Sequence, residues 1–233
     1  MTSFDKEYYN YNNQEKDRIG LLFYANVIKR YFKPKVVLDY GCGTGFFLKR
    51  LSRINFIKHT YGFELSDYAK DKAKKNSPLS KFIDDLDEIS NNSVDLIISL
   101  HVIEHIKDED LIKIFYSFKK ILKKKGTILF STPAKNGLAN KLKKDKWIGY
   151  KDKTHINLKS FRDWELFFKK QKFKINKSAN DGLWDFPYKT DKNLLSKIKI
   201  YFLMVLQIFF GRLILNENEG ETFIFLLTVE ENS

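Results

Sequence analysis

Residues 36–45 read VVLDYGCGTG, and this stretch decides the fold. Residues 36–38 are apolar and mostly β-branched, which is typical of a strand that is buried on both faces. Three glycines at alternating positions then permit a tight turn whose backbone a ligand can approach closely. Thr44 is a candidate N-cap for a helix that follows the turn. A strand, a glycine turn and a helix N-terminus in this order predict a site for a nucleotide-like ligand.

The glycine turn matches neither of two common nucleotide motifs. No Gly-Lys-Ser/Thr follows the glycines, so the lysine and the hydroxyl of a phosphate loop are missing. Phe46 stands where the dinucleotide fingerprint G-x-G-x-x-G needs its last glycine, so the third glycine comes one residue early. Cys42 lies inside the turn, and we interpret it as a small residue at a crowded position and not as a nucleophile.

Acidic residues follow the next two predicted strands. Residues 60–64 read as the second strand, and Glu64 stands at its carboxyl end, about 20 residues beyond the glycine turn, where a carboxylate can accept hydrogen bonds from both ribose hydroxyls. Residues 81–84 read as the third strand, with Asp85 directly after it.

Residues 94–100 form a nearly continuous apolar run, which is typical of a buried parallel strand.

The glycine turn D-x-G-C-G-T-G, the segment GFELS that contains Glu64 and the segment HVIEH after residue 100 together resemble three motifs of class I S-adenosylmethionine (SAM)-dependent methyltransferases. The resemblance is strongest at the glycine turn and Glu64 and extends over about residues 30–178. It implies that SAM is the cofactor, that Glu64 binds its ribose and that Asp85, with Asp84 as the register alternative, approaches the adenine. The full set of cofactor residues it implies is Asp39, Tyr40, Gly41, Cys42, Gly43, Gly45, Glu64, Leu65, Asp85, Leu86, Leu100 and His101.

Alternating strands and helices predict an α/β fold. We expect a Rossmann-like, mostly parallel sheet of seven strands with helices on both faces, closed by an antiparallel C-terminal hairpin strand as the family resemblance implies. A helix over residues 109–123, with Gly126 just beyond its end, precedes a fifth strand at 127–131. We expect one domain over residues 1–233, with an N-terminal cap at 1–34 and an apolar helical insertion at about 180–218.

The segment W-x-G-Y-x-D-x-T-H between the fifth strand and the next helix resembles the substrate side of small-molecule methyltransferases close to sugar and quinone O-methyltransferases. It supplies Trp147, Tyr150 and Asp152 as candidate substrate contacts. His155 is the first candidate for a general base and His105 the second, because a neutral imidazole can accept a hydroxyl proton near pH 7. A structural role for His155, bonded to the loop backbone, stays open.

Two histidines four residues apart, His101 and His105, have a spacing that metal ligands use. The zincin signature, however, needs glutamate directly after the first histidine, whereas Glu104 precedes the second one. We therefore expect no metal.

The formal net charge is +13, and 42 basic residues outnumber 29 acidic ones. Most of the basic residues are lysine, and the chain is also rich in asparagine, isoleucine, phenylalanine and tyrosine, which together indicate a codon bias. Lysine is also less suited than arginine to bidentate phosphate recognition. We therefore expect no nucleic-acid partner. A single cysteine and the absence of a secretory or membrane-spanning pattern predict a cytoplasmic protein, with contact to the inner face of a membrane left open.

The two ends of the chain leave alternatives. In the polar leader 1–17, Tyr8, Tyr9 and Tyr11 either fold over a bound cofactor or are solvated. Arg18 either pairs with a cofactor carboxylate or faces solvent, ahead of an amphipathic helix at 19–32. The apolar core 198–215 of the insertion is a lid over the substrate, a dimer contact or an interfacial membrane anchor.

These observations predict O-methylation of a sugar hydroxyl, in a surface glycan or in its nucleotide- or lipid-linked precursor, by direct in-line methyl transfer. The alternatives are a lipid-quinone or other small-molecule O-methyltransferase, then a tRNA methyltransferase, or a non-catalytic SAM-binding partner of a second enzyme.

Overall fold

Seven strands form one sheet in the computed structural model, which describes residues 4–181 and 194–230. The strands are β1 (Val36–Tyr40), β2 (His59–Phe63), β3 (Lys81–Ile83), β4 (Val94–Leu100), β5 (Leu122–Pro133), β6 (Phe173–Asn180) and β7 (Thr222–Val229). Their order is β3-β2-β1-β4-β5-β7-β6, and β7 runs antiparallel to both of its neighbours. The predicted α/β Rossmann-like sheet with a reversed C-terminal strand is confirmed.

Nine α-helices are assigned within the described residues. They are α1 (Lys6–Tyr11), α2 (Ile19–Tyr31), α3 (Phe46–Leu51), α4 (Asp67–Asn76), α5 (Asp108–Ile121), α6 (Leu138–Lys143), α7 (Ile148–Lys151), α8 (Phe161–Lys170) and α9 (Leu194–Phe210). Short 3-10 turns follow β3 at Leu86–Glu88 and β4 at Ile103–His105.

Two apolar layers enclose the sheet, one on each face. Alternate residues of the central strands face opposite layers, so that Leu38 and Ile97 pack with α5 and α8, whereas Val37 and Leu96 pack with α2 and α3. Rings dominate the first layer, where Phe115 and Phe130 stack with centroids 5.3 Å apart. Both faces of the sheet are therefore dry, and the functional groups collect at its edge.

The parallel strands β1 to β5 all end at the same edge of the sheet. Because β7 is reversed, it begins at that edge, where Thr222 pairs with Pro133 at the end of β5. Residues just before β7 therefore lie beside residues just after β4 and β5, although the two groups are far apart in the chain.

Two local predictions were wrong. Helix α5 ends at Ile121, and the strand already begins at Leu122, because the backbone N–H groups of Asn92 and Ser93 donate to the last helical carbonyls and Leu122 is extended. Gly126 consequently lies inside β5 and is not the residue beyond a helix end. The basic run after Ile121 is likewise part of the strand, where Lys123 pairs with Asp95 at 2.7 Å.

Thr44 does not cap α3. Gly45 occupies the N-cap position without a side-chain bond, while the Thr44 hydroxyl donates to the carbonyl oxygen of Gln14 at 2.5 Å. The N-terminal segment is thus tied to the glycine turn by the hydroxyl that we expected to serve the helix.

The predicted insertion contains α9, and residues 182–193 lie outside the described residues. The apolar run 198–215 is not one helix, because α9 ends at Phe210. Gly211 has φ +58° and packs against the backbone of Asn26, so that a Cβ atom there would come within 2.3 Å of it. Leu215 then turns back into the core. Among the described residues, no helix is both long and apolar enough to span a bilayer.

Candidate functional site

The glycine turn holds its shape through backbone geometry that other residues would strain. Gly41, Gly43 and Gly45 have φ of +77°, +53° and +80°. A Cβ atom on Gly45 would lie 2.6 Å from the Cα atom of Ala73 in α4, closer than real Cβ contacts. The third glycine therefore allows α4 to pack against the start of α3, and the turn stays open toward the sheet edge.

Glu64 is bonded to the glycine turn from the end of β2. Its carboxylate accepts hydrogen bonds from Gly43 N at 2.8 Å, from Ser66 N at 2.9 Å and from the Tyr9 hydroxyl at 3.3 Å. It is 8% exposed, and the exposed part faces a cavity. The residue predicted to bind ribose thus also connects the turn, β2 and α1.

Asp39 is buried at the end of β1. Burial, and next the negative charge of Glu64, raise the pKa of Asp39 to about 8. With a pKa near 8, Asp39 is mostly protonated at pH 7, and a cationic group bound beside it would favour its ionised form. The sulfonium and ammonium groups of SAM are cations of this kind.

A cavity of about 460 Å³ opens at the sheet edge, next to a smaller one of about 50 Å³ under the glycine turn. This is the size range of small-molecule sites. Arg18 lines both cavities, which agrees with the predicted contact to a cofactor carboxylate and not with a fully solvent-facing side chain. Of the predicted site residues, the larger cavity is lined by Tyr40, Gly41, Gly43, Glu64, Leu65, Leu100, His101, His105, Trp147, Asp152 and His155, and the smaller one by Asp39, Gly41, Cys42, Gly43, Gly45 and Leu100.

Three predicted site residues lie outside both linings. Asp85 is an exposed cap of the 3-10 turn after β3 and accepts a hydrogen bond from Asp87 N at 2.8 Å. Leu86 is buried behind that turn. Tyr150 is 43% exposed and packs edge-on against Trp147. The adenine contact at Asp85 and the substrate contact at Tyr150 stay predictions.

The N-terminal segment covers the cavity. Tyr8 and Tyr9 on α1 are 6% and 3% exposed, whereas Tyr11 is 60% exposed at the rim. Phe4 packs edge-on against His105 with ring centroids 5.3 Å apart. Of the two alternatives for this leader, the structure has Tyr8 and Tyr9 folded over the site and leaves Tyr11 largely exposed.

Two imidazoles meet in the wall of the larger cavity. The rings of His105 and His155 have centroids 4.7 Å apart. Nδ1 of His155 lies 3.0 Å from the carbonyl oxygen of Gly149, and Nδ1 of His105 lies 3.1 Å from that of Thr154. A carbonyl oxygen can only accept, so Nδ1 donates in both rings and Nε2 is the nitrogen left to accept a proton.

Carboxylates surround this pair of imidazoles. Asp152 Oδ2 lies 3.7 Å from Nε2 of His155. Glu104 is fully buried, and neither of its oxygens accepts a hydrogen bond from the described residues, although His101 Nδ1 lies 3.4 Å away. Burial raises the pKa of Glu104, but the neighbouring imidazoles, His101 first, outweigh burial and hold the pKa below its ordinary value.

Glu104, His105 and His155 each offer one ligand-type atom within 4.8 Å of the others. Three protein ligands of these types are the number that a catalytic zinc site uses. The same atoms are also arranged for proton transfer, because burial lowers the pKa of His105 and favours its neutral ring, which can accept a proton. The prediction that no metal is needed therefore requires a direct test.

Sequence patterns missed Phe4, Glu221 and Thr222, which line the larger cavity, and Glu104, which is buried beside its imidazoles. Glu221 and Thr222 reach the site because β7 begins at the edge where the parallel strands end. The predicted reversal of the last strand was the signal from which the position of Glu221 and Thr222 at this edge could have been inferred. Glu104 stands inside the HVIEH segment, but only the approach of His155, 51 positions later, makes it part of the group.

Comparisons with known proteins identify the family of the chain. Residues 13–178 match a family model described as a methyltransferase domain, which is more than half of the chain. A curated protein from Anoxybacillus flavithermus, named as an uncharacterized methyltransferase, is 28% identical over 138 residues, which are 57% of this chain and 63% of that protein. The aligned part thus spans less than two thirds of that relative.

Solved structures share the fold. A SAM-dependent methyltransferase from Archaeoglobus fulgidus superimposes with a TM-score of 0.65 at 17% identity, over 96% of this chain and 99% of that one. A putative methyltransferase from Haloferax volcanii, solved in complex with the methyltransferase activator Trm112, gives a TM-score of 0.65 at 16% identity, over 97% and 96% of the two chains. At these identities the likeness concerns the fold alone.

The fold and the glycine turn define a class I SAM-dependent methyltransferase. The chain belongs to the methyltransferase-domain family whose model it matches, and SAM is the cofactor of this class. Neither the family nor the neighbours described above are named as metal-dependent.

Proposed function

We propose that this protein transfers the methyl group of SAM to a hydroxyl oxygen of a sugar, in a surface glycan or in its nucleotide- or lipid-linked precursor. The observation that carries the proposal is the pair of imidazoles, His105 and His155, beside Asp152 in the wall of the cavity. A hydroxyl acceptor has to lose a proton, and this part of the cavity, which we assign as its acceptor end, holds groups that accept one.

His155 is the first candidate for the base. Its Nδ1–H donates to Gly149, so Nε2 faces Asp152 with a free lone pair. A proton taken up at Nε2 is stabilised by the Asp152 carboxylate 3.7 Å away. His105, fixed by Thr154 in the same manner, is the second candidate.

Acceptor recognition rests on the walls of the same end of the cavity. Trp147 and Tyr8 supply ring surface, while Asp152 and Glu221 supply carboxylate oxygens that accept hydrogen bonds from hydroxyl groups. Tyr150 extends the ring surface outward from Trp147. Such a wall suits the sugar part of an acceptor, which carries several hydroxyl groups.

Cofactor binding is assigned to the opposite end. When bound, SAM supplies a methyl group on a positively charged sulfur. We assign the ribose hydroxyls to Glu64, the adenine to Asp85 and the carboxylate to Arg18, with Asp39 facing positive charge. The chain then acts by aligning the acceptor oxygen and excluding water under the α1 cap. We infer that the protein works in the cytoplasm, where its single cysteine stays reduced.

A turnover assay tests the proposal. The purified protein is given SAM and, in turn, nucleotide sugars, glycolipids and quinone precursors, and the release of S-adenosylhomocysteine is measured. We expect a sugar acceptor to turn over, and His155→Ala to lower kcat by about 100-fold or more. His59→Ala, which changes an exposed histidine on β2, is the matched control and keeps full activity.

Three results contradict parts of the proposal. Turnover of quinone precursors alone would replace the acceptor class. Full activity in His155→Ala with loss in His105→Ala would exchange the two bases. Activity that EDTA abolishes and a divalent cation restores would assign Glu104, His105 and His155 to a metal.

A further inference from the structure

Helix α9 buries one face and exposes another apolar one. Gln207 and Ile208 are 1% and 6% exposed, and both are held: Gln207 Nε2 donates to Asn180 O at 2.9 Å, and Asn26 Nδ2 donates to Ile208 O at 2.8 Å. Ile198, Phe202 and Phe209 are 58%, 60% and 68% exposed. The helix is thus fixed on α2 with large apolar side chains directed outward.

The exposed side chains form one stripe. At 3.6 residues per turn, Ile198, Phe202 and Phe209 lie within about 40° of one another around the helix axis. Phe210, 56% exposed, widens the stripe at its C-terminal end. A contiguous group of exposed aromatic and aliphatic side chains marks an interaction site, unlike single exposed residues.

The sequence of the segment that carries the stripe has charges of one sign. Residues 194–215 contain Lys197, Lys199 and Arg212 and no acidic residue. A second copy of the chain would bring another formal charge of +13 against this face, which opposes self-association. An anionic lipid surface complements the basic residues and accepts the apolar stripe.

We propose that the exposed face of α9, formed by Ile198, Phe202, Phe209 and Phe210, docks on the surface of an anionic bilayer. Of the three roles that the sequence left open for this segment, a lid, a dimer contact and a membrane anchor, this is the membrane anchor. The helix lies in the interface and does not cross it.

The position of α9 relates this surface to the site. Met204, between the exposed positions, packs against the cluster that contains Trp147, and Trp147 lines the acceptor end of the cavity. Resting on the proposed function, this places the acceptor end near the lipid surface and favours the lipid-linked acceptors among those proposed.

Vesicle flotation tests the docking without SAM or an acceptor. The full chain is mixed with vesicles of phosphatidylcholine alone or of phosphatidylcholine with 30% phosphatidylglycerol. We expect binding to the anionic vesicles and little to the neutral ones. The double variant Phe202→Ser/Phe209→Ser should lower the partition coefficient by about tenfold or more.

A matched control changes exposed apolar residues elsewhere. Ile112 and Tyr116 on α5 are 45% and 62% exposed, and Ile112→Ser/Tyr116→Ser should bind vesicles as the unmodified protein does. Equal binding of both double variants, equal binding to neutral vesicles, or a dimer in light scattering that only Phe202→Ser/Phe209→Ser dissolves would overturn the proposal. Turnover of a water-soluble acceptor measures the proposed function separately, so the two can fail independently.

Discussion

Single carboxylates determine which ligand this sheet edge can accept. Glu64 receives two backbone N–H donors and one tyrosine hydroxyl, and its remaining surface faces the cavity. Asp39 lies behind it with a raised pKa. The cofactor end thus holds one hydrogen-bonded carboxylate and one buried carboxyl that keeps its proton up to about pH 8, whereas the acceptor end combines carboxylates with imidazoles.

Replacing Glu64 tests the cofactor end. Glu64→Gln keeps the side-chain shape but removes the charge, and it replaces one acceptor oxygen with a donor, so we expect the SAM dissociation constant to rise by about 10- to 100-fold. Isothermal titration calorimetry measures it. Asp110→Asn removes an exposed carboxylate that pairs with Lys113 and should leave the affinity unchanged. An unchanged affinity in Glu64→Gln would refute the ribose assignment.

At the scale of elements, the glycine turn and the two helices that meet there form one packed unit. Gly45 starts α3 in a left-handed conformation, and Ala73 of α4 occupies the space where a side chain would stand. The third glycine is therefore a packing residue of two helices as well as part of a ligand turn.

We expect Gly45→Ala to destabilise the fold by about 2–4 kcal/mol, since it adds strain at positive φ and forces α4 outward. Urea unfolding followed by circular dichroism measures the change. Lys74→Ala replaces an exposed residue next to Ala73 and should stay within about 0.5 kcal/mol of the unmodified protein. A Gly45→Ala variant as stable as this control would contradict the prediction, because it would mean that α4 can move away from the new side chain without a loss in the free energy of unfolding.

At the scale of the whole molecule, the topology gathers a site from distant parts of the chain. α1 lies over the cavity, the loops after β1, β2 and β4 form its walls, and the reversed β7 adds Glu221. This arrangement buries several acidic groups at one edge of the sheet. The stability of the fold therefore depends on pH.

Asp39 provides the test of that dependence. Its pKa is about 8 in the fold and about 3.9 in an unfolded chain, so the folded state holds the proton more tightly. The free energy of unfolding should therefore fall between about pH 4 and pH 8 on account of this group. Asp39→Asn removes this pH-dependent contribution to the free energy of unfolding. The free energy of unfolding of the variant minus that of the unmodified protein should therefore be larger at pH 8 than at pH 5.

Urea unfolding of both proteins at pH 5 and pH 8 measures this difference. Lys113→Ala, far from the cavity and on the exposed side of α5, serves as the control without a pH-dependent difference of this kind. A stability difference between Asp39→Asn and the unmodified protein that is the same at both pH values would mean that Asp39 is ionised in the fold.

The glycine turn and the alternation of strands and helices could be predicted from the sequence alone, because local patterns of spacing, β-branching and turn residues carry them. The reversed last strand and the methyl donor were predicted from the resemblance of three motifs to a known family. Local reading failed at the end of α5 and at Thr44, where backbone and hydroxyl groups found partners more than 25 positions away. Only the tertiary structure decided that Glu104 and His105 meet His155, that α1 covers the site and which face of α9 stays outside. Those outcomes depend on how the strands are ordered in the sheet and on which helix face finds a partner, and no local pattern contains either.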